Sequence, residues 1–423
     1  MADASTPQKR EAGEGPGANA ARRSGRAYRL WAGDLAGDLV AYRRHLHAHP
    51  ELSFEERATQ AYLISVLAKA GLPEPRPTAT TGLTFDVVGE GPASAAPRCV
   101  AVRADIDALP IHEVDGRPYG SETPGVMHAC GHDVHTACAL GAARLLYDSR
   151  AEWSGTVRFI FQPGEELLPG GATMVIADGV LAATPPVEAI VGLHVAPDLP
   201  VGTLGLRSGA YMASTDELYL SLHGDGGHAA LAHRHTDLVA AAAQIVTALQ
   251  QVVSRKAPPQ IPSVLSFGKI NSHGGATNVL TARIDLEGTF RTYDEAWRGE
   301  AHAWIRRIAE GVGASLGARV ELDLRRGYPA LSNDAEVTAT VGAVLRGVVG
   351  EDAVAALDLR PTAEDFAWYL RHVPGCFFRL GVRNEALGIT AGVHTPEFDV
   401  DEACLPVGAA ALAAAARSLL ERP

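Results

Sequence analysis

Long apolar runs are missing from this chain of 423 residues. No stretch of about 18 uncharged apolar residues occurs, so no membrane-spanning helix is expected. The apolar runs near residues 239–249 and 409–416 are Ala-rich and short. The first 26 residues carry Ala, Gly, Ser, Pro and charge, with no apolar h-region ahead of a small-residue cleavage site. That composition predicts a flexible tail over residues 1–27 and no secretory signal. Cysteine is also sparse: Cys99, Cys130, Cys138, Cys376 and Cys404 are scattered and odd in number. They do not resemble a secreted disulfide framework, and a reducing cytoplasm is the expected location. Positive charge is in the minority, with 37 Lys and Arg against 49 Asp and Glu and a net charge of −12. No basic stripe with interleaved aromatics offsets this, so nucleic acid is not an expected partner. Internal repeats and heptad runs are absent too.

What remains is 47% hydrophobic and 20% charged, ordinary for a globular protein and enough for two domains with their own cores. A helix is predicted over about residues 34–47, stopped by Pro50. A second is marked by the capping box Ser53-x-x-Glu56, by Tyr62, Leu63, Val66 and Leu67 at helical spacing, and by Gly71 at its end. Strands over residues 84–88, 99–102, 156–161 and 189–193, with helical patterns between most of them, predict an α/β sheet covered on both faces. Three strands run into polar residues: Arg103 to Asp107, Gln162 to Glu166, and His194. Ligands bind at the carboxyl edge of open α/β sheets, so these groups are expected to share one crevice. From about Thr215 the order becomes β-α-β-β-α-β, that of a ferredoxin-like α+β unit. The expected division is a first catalytic part over 28–214, an inserted lid and dimerisation domain over 215–327, and a second catalytic part over 328–423.

The densest chemistry lies between Met127 and Thr136, where His128, Cys130, His132, Asp133 and His135 fall within ten residues. Soft and borderline ligands at that density suggest a metal site. If Cys130, His132, Glu166, His194 and His394 meet, five ligands exceed what one tetrahedral zinc takes. Two ions about 3.5–4 Å apart need a bridge, and a thiolate can provide one. In the Glu165-Glu166 pair neighbouring side chains diverge, so one can bind metal while the other stays a free base.

The blocks Arg44-His-Leu-His-Ala-His-Pro-Glu-Leu-Ser-Phe-Glu, Arg103-Ala-Asp-Ile-Asp-Ala-Leu-Pro-Ile, His128-Ala-Cys-Gly-His-Asp, Gln162-Pro-Gly-Glu-Glu, Gly192-Leu-His, Gly226-Gly-His-Ala, Gly288-Thr-Phe-Arg, Glu364-Asp-Phe and His394-Thr-Pro-Glu-Phe occur in that order. From about Tyr28 to the C-terminus they resemble the di-metal amidohydrolases and metallopeptidases of the hippurate hydrolase, aminoacylase and auxin-conjugate hydrolase type. The resemblance implies that Cys130, His132, Glu166, His194 and His394 bind two divalent ions per subunit (zinc, manganese, cobalt or nickel), with Cys130 as the bridge. It implies Glu165 as general base and acid and Asp107 as the carboxylate orienting a ligand. His228 would serve the neighbouring subunit's site by stabilising an oxyanion, which implies a homodimer formed through the insertion. Asn278 and Arg291 match positions used for a substrate carboxylate. The reaction implied is hydrolysis of the amide bond of N-acyl amino acids or related conjugates.

Departures from the family pattern fall in the insertion. Ala232 and Leu238 stand where Pro is common, and Leu280-Thr281 stands where Ile-Pro is usual. They leave the metal set intact and bear on the loops that select substrate. Two other readings fit the same residues: a non-catalytic binder of metal or a small molecule, and a thiol enzyme in which His128 or His132 activates Cys130. Loss of activity in EDTA and its return with a divalent ion separate the last from metal catalysis.

Overall fold

Strands that are apolar on both faces need cover on both faces, and the order of elements supplies it. The computed structural model describes residues 16–92, 98–114, 116–274 and 276–422, with side chains from residue 24 onward. In chain order it begins with helices α1 (Pro16–Asp34), α2 (Ala36–Ala48) and α3 (Arg57–Lys69) and strands β1 (Arg76–Thr78), β2 (Gly82–Glu90) and β3 (Cys99–Asp105). There follow α4 (His132–Asp148), β4 (Ser154–Gln162), α5 (Gly171–Ala177), β5 (Val187–Pro200), β6 (Leu204–Leu206) and β7 (Gly209–Met212). A second unit holds β8 (Asp216–His223), β9 (Gly227–His228), α6 (Leu238–Gln251), β10 (Ser263–Ser272), β11 (Val279–Leu280), β12 (Arg283–Thr292), α7 (Glu295–Ser315) and β13 (Arg319–Arg326). The chain then returns through β14 (Leu331–Asn333), α8 (Ala335–Val349), β15 (Val354–Ala356), β16 (Gly375–Arg383) and α9 (Cys404–Leu420).

The large sheet has the order β1-β2-β4-β3-β5-β16-β6-β15. Its central strands β4, β3, β5 and β16 run parallel; β1 with β2, β2 with β4 and β6 with β16 pair antiparallel, and edge strand β15 pairs parallel with β6. Side chains alternate between faces along a strand. Val100, Val102, Val191, Leu193, Phe378 and Leu380 belong to one core, together with buried residues of α4 and α9. Ala101, Ile160, Ile190 and Phe377 belong to the other, with Ala172 and Val175 of α5 and with Phe366 and Tyr369. The Ala-rich face of α9 permits close approach. A Cβ at Gly408 would lie 2.4 Å from Cys138 Sγ on α4, so only glycine fits there.

The second unit forms a four-stranded antiparallel sheet, β10-β12-β8-β13. With α6 and α7 as crossovers this is the expected ferredoxin-like arrangement. On β8, Leu218, Leu220 and Leu222 are buried against the helices while Glu217, Tyr219 and Ser221 face outward. The strands leading into and out of this unit are tied together, since Thr215 N donates to Tyr328 O and Gly327 N to Thr215 O. No described helix is long and apolar enough to cross a membrane.

Two local expectations are corrected. Residues 1–15 of the expected tail lie outside the described residues, but residues 16–27 belong to α1. That helix is poor in large apolar residues, which hides it in the sequence; it buries Tyr28 and Ala32 at its C-terminal end, and Tyr28 Oη bonds Ser149 Oγ at 3.0 Å. The capping box at Ser53 and Glu56 does not form, and α3 starts at Arg57. Its first amides donate instead to Glu51, Ala58 N at 3.0 Å and Thr59 N at 2.7 Å. Ser53 and Glu56 have stronger partners: Ser53 Oγ donates to Asp107 Oδ2 at 2.7 Å, and buried Glu56 accepts from Thr81 Oγ1 and Gly164 N.

Candidate metal centre

The carboxyl ends of β3 and β4 meet the start of α4 beside the middle of β5. That strand continues to Pro200, past the expected end at residue 193, and so carries His194 within it; the polar residues expected at this edge converge. Gly131 makes the turn possible: its φ is 83°, and a Cβ would lie 2.6 Å from Val195 Cγ2. This turn places Cys130 and His132 on one side of the helix start. Cys130 Sγ lies 3.4 Å from His194 Nε2 and 3.3 Å from His394 Nε2. Glu166 Oε1 lies 3.2 Å from His394 Nε2 and 3.9 Å from His132 Nε2.

The potential donor atoms fall into overlapping groups whose members lie within 4.8 Å of one another: Cys130, His132 and His194; Cys130, Glu166 and His394; His132, Glu165 and Glu166; Asp105, His132 and His135; and Glu165, Glu364 and Asp365. Cys130 belongs to the first two. Five donors arranged as two sets sharing a sulfur suit two cations better than one. Glu166 Oε1 is buried without a hydrogen bond among the described residues, as a donor aimed at a cation would be. Burial and the nearby Glu166 carboxylate push the Cys130 thiol well above its ordinary value, so a bound cation is what would make it a thiolate.

The imidazoles of His132 and His194 are held by their other nitrogen, and His394 is placed by its backbone. His132 Nδ1 contacts Asp107 O at 2.9 Å and Asp107 Oδ1 at 3.1 Å, leaving Nε2 toward the cluster. His194 Nδ1 donates to Val195 O at 2.8 Å. His394 sits within the loop that leads to α9 with φ of 62°, its amide held by Ala129 O at 2.7 Å. Asp107 does more than orient one ring, because Oδ2 also accepts from Ser53 Oγ and, at 3.0 Å, from Glu166 N. Burial would raise its pKa, but the His132 hydrogen bond and charge and the donations from Glu166 N and Ser53 hold it below the usual carboxylate value.

The remaining histidines of the turn differ: His135 is bonded elsewhere and His128 is not. His135 Nδ1 bonds Asp105 Oδ1 at 2.6 Å and Nε2 accepts from Val195 N at 2.9 Å, so both nitrogens are used. His128 is buried with neither nitrogen bonded among the described residues, and burial lowers its pKa to about 4. Asp133 accepts from Arg43 Nε at 2.9 Å and contacts His47 Nδ1 at 2.8 Å, which fastens α2 under the turn.

Glu165 lies beside the cluster, 7% exposed and on the wall of a cavity of about 550 Å³ that also holds Cys130, Glu166, His194, His394 and Arg291. Tyr328 Oη donates to its carbonyl at 2.5 Å, and Asp365 N donates to Glu165 Oε1 at 3.3 Å. Burial, with the charges of Glu364 and Glu166, pushes Glu165 well above the ordinary carboxyl range. Glu364 and Asp365 stood in a recognised block without a role. They are buried against Arg103, whose Nη2 lies 2.6 Å from Asp365 Oδ1 and 3.1 Å from Glu364 Oε1, and whose Nη1 donates to Asp105 Oδ2 at 2.6 Å. The Glu364-Asp-Phe block was the available signal; its pairing with Arg103 across 262 positions of sequence was not.

The inserted unit contributes unevenly. Arg291 lines the cavity and donates to Pro361 O at 3.2 Å. His228 and Asn278 are exposed and do not line it. His228 is in β9 and Asn278 immediately precedes its partner strand β11, where Ala229 N donates to Asn278 O at 2.9 Å.

Known proteins are similar to this chain in sequence and fold. The model of peptidase family M20/M25/M40 matches residues 101–418. The chain is 40% identical to the N-acetyl-L-cysteine deacetylase of Bacillus subtilis over 391 residues, covering 92% of this chain and 89% of that protein. It is 41% identical to the N-acyl-L-amino acid amidohydrolase of Geobacillus stearothermophilus over 301 residues, or 71% and 79% of the two chains. Among solved structures it resembles a dinuclear metal binding peptidase of the M20 family from Bacillus subtilis, with a TM-score of 0.78, 36% identity and coverage of 92% and 99%. Sequence, fold and the clustered donors therefore agree, and the chain belongs to peptidase family M20/M25/M40.

Proposed function

We propose that the chain is a metal-dependent amidohydrolase that cleaves the amide bond of N-acyl amino acids or closely related conjugates. The observation that carries this reading is the placement of Cys130 Sγ between His194 and His394, with Glu166 and His132 completing two donor sets and Glu165 free beside them. In this reading Cys130, His132, Glu166, His194 and His394 hold two divalent ions, and zinc, manganese, cobalt and nickel all accept such a mixed donor set. When bound, the cations supply Lewis acidity toward the amide carbonyl and toward water.

The chain's own residues then divide the work. Glu165 takes a proton from the attacking water and passes it to the leaving amine nitrogen. Burial and the charges of Glu364 and Glu166 raise its affinity for protons, the direction that favours the second transfer. Asp107 keeps Nε2 of His132 facing the centre and fixes the backbone of Glu166 at the same time. Arg291 presents its guanidinium to the carboxylate of the amino-acid half. His228 and Asn278 are assigned to the site of a second subunit in a homodimer formed through the inserted unit; their exposure, away from the cavity of their own chain, supports that assignment. Five free, buried cysteines suit a cytoplasmic location.

The test is Glu165→Gln. Both metals should remain by elemental analysis while turnover of N-acetyl, N-benzoyl and longer N-acyl amino acids falls about 10²- to 10⁴-fold. Near-normal turnover in that variant removes Glu165 from the mechanism. A wild-type, metal-loaded protein that hydrolyses no member of the panel supports the binding-protein alternative instead.

A further inference from the structure

One more charged side chain stands level with the metal donors. In the parallel pairing of β5 with β16, Arg379 is the register partner of His194. Register partners on adjacent strands project to the same face, with backbones about 4.8 Å apart. The guanidinium therefore lies beside the imidazole, and Val195 O is shared between His194 Nδ1 at 2.8 Å and Arg379 Nη1 at 3.5 Å. Arg379 is only 3% exposed, yet it lines the same cavity as Glu165 and Arg291.

Its surroundings set it apart from the other buried arginines. Arg43 pairs with Asp133, Arg103 with Asp105, Arg158 with Asp86 and Arg298 with Asp216. Arg379 instead has neutral partners. Nε donates to Tyr211 Oη at 2.7 Å, Nη2 lies 3.1 Å from Met212 Sδ, and the rings of Tyr211 and Phe377 flank it at 5.6 and 5.5 Å. No carboxylate pairs with it among the described residues. A buried cation held in place without a counter-ion is costly, and the open side of this one faces the cavity. Tyr211 and the two rings fix its plane, so the fork is preorganised for a flat anion. Arg291, on the same cavity, has a backbone carbonyl as its hydrogen-bond partner and likewise no carboxylate.

We propose that Arg379 is a second anion subsite of this cavity and that the preferred substrates carry two carboxylates, one for Arg291 and another for Arg379. The inference rests on the amidohydrolase reading and extends it to a substrate class. The second carboxylate can belong to the amino-acid side chain, as in N-acyl derivatives of aspartate or glutamate, or to the acyl half, as in amides of dicarboxylic acids. The chemistry recognised is the same in both.

The experiment compares kcat and KM for N-acetyl-L-glutamate, N-succinyl-L-alanine and N-acetyl-L-alanine in the wild type, Arg379→Met and Arg379→Lys. A parallel calorimetric titration of the same proteins with glutarate and with butyrate reads binding without turnover. In the wild type at least one dianionic substrate should exceed N-acetyl-L-alanine in kcat/KM by about 10- to 100-fold, the usual worth of a charge-assisted pair. Whichever it is identifies the half that carries the second carboxylate. Arg379→Met should raise KM for that substrate by a similar factor more than for N-acetyl-L-alanine, and should remove the advantage of glutarate over butyrate. Arg379→Lys should keep part of both. Absence of any dianionic preference in the wild type, or an equal loss on all three substrates in Arg379→Met, overturns the subsite. If no substrate is hydrolysed the amidohydrolase reading fails, and the titration still decides the subsite: equal binding of glutarate and butyrate rejects it. Should Arg379→Met not fold, Arg379→Gln, which can still donate to Tyr211 Oη, takes its place.

Discussion

Charge is buried in the eight-stranded sheet and displayed on the four-stranded one. Around the large sheet Arg43, Arg103, Arg158, Asp105, Asp107, Glu165, Glu364 and Asp365 are all buried, and most form networks near the carboxyl ends of the strands. On the inserted unit the pairs Lys269–Glu287 and Arg325–Asp323 lie on the outer face of the sheet. The two sheets solve different problems. A strand covered on both faces must find a partner inside the protein for every charge it carries, whereas a one-sided sheet leaves charge to water. The buried sheet can therefore hold donors in fixed positions for chemistry, while the inserted sheet supplies a surface and one arginine at the cavity.

The largest effect expected from this contrast is at Arg103. Its guanidinium touches Asp105, Glu364 and Asp365, and Gln162 Oε1 accepts from its Nε at 2.9 Å. Arg103→Met leaves three buried carboxylates facing one another. Loss of one partner from such a network costs about 3–5 kcal/mol, so the urea midpoint should fall steeply. Activity should fall with it, because Glu364 and Asp365 lie against Glu165. An Arg103→Met protein as stable as the wild type would show that the buried network is not what holds this edge of the sheet together.

Much of this arrangement was legible in the sequence, and the reasons are local. The short strands with helical patterns between them reported the covered α/β sheet, and the β-α-β-β-α-β order reported the inserted unit. The turn at Cys130 and His132 was visible because ligand chemistry needs particular residue types close together. What escaped was whatever depended on a partner far along the chain. Ser53 and Glu56 fit a capping pattern locally, yet Asp107, Thr81 and Gly164 claim them. The helix α1 has few large apolar residues and begins within the Ala-, Gly- and charge-rich segment, so its docking through Tyr28 was not read from the sequence. Arg379 reads as one charged residue in a strand, and only its register with His194 places it at the cavity.

Asp216 is the exception that sharpens the contrast, for it is a buried charge at the base of the inserted unit. It accepts from Arg298 Nη2 at 2.5 Å and Nε at 3.0 Å and contacts His302 Nε2 at 2.6 Å. Burial alone would raise its pKa, but the His302 and Arg298 hydrogen bonds and the Arg298 charge outweigh it and hold the carboxyl below its ordinary value. A carboxyl whose folded pKa lies below the unfolded value of about 3.9 contributes stability in full above that pH and loses it as pH falls through the folded value. Asp216→Asn should therefore lower stability by about 1.5–3 kcal/mol at neutral pH and flatten the acid limb below about pH 4. Urea midpoints measured from pH 7 down to pH 3 check both. A variant whose acid limb keeps the wild-type slope would show that Asp216 is not stabilised as its contacts indicate.

The smallest effect marks the other end of the comparison. Arg325 Nε meets Asp323 Oδ2 at 2.8 Å, as short as many buried pairs, and its guanidinium lies 4.5 Å from the centre of the Tyr219 ring. Distance alone would rank this contact with those of Arg103. Both side chains are more than half exposed, however, so water already solvates each charge and salt screens the attraction between them. Holding two long side chains in one geometry also costs rotamer entropy that offsets the gain. Arg325→Ala should leave the urea midpoint where it is, at low salt and high salt alike. A midpoint shift comparable to that of Arg103→Met would mean that burial is not what separates the two sheets, and that the number of close ion pairs sets stability in both.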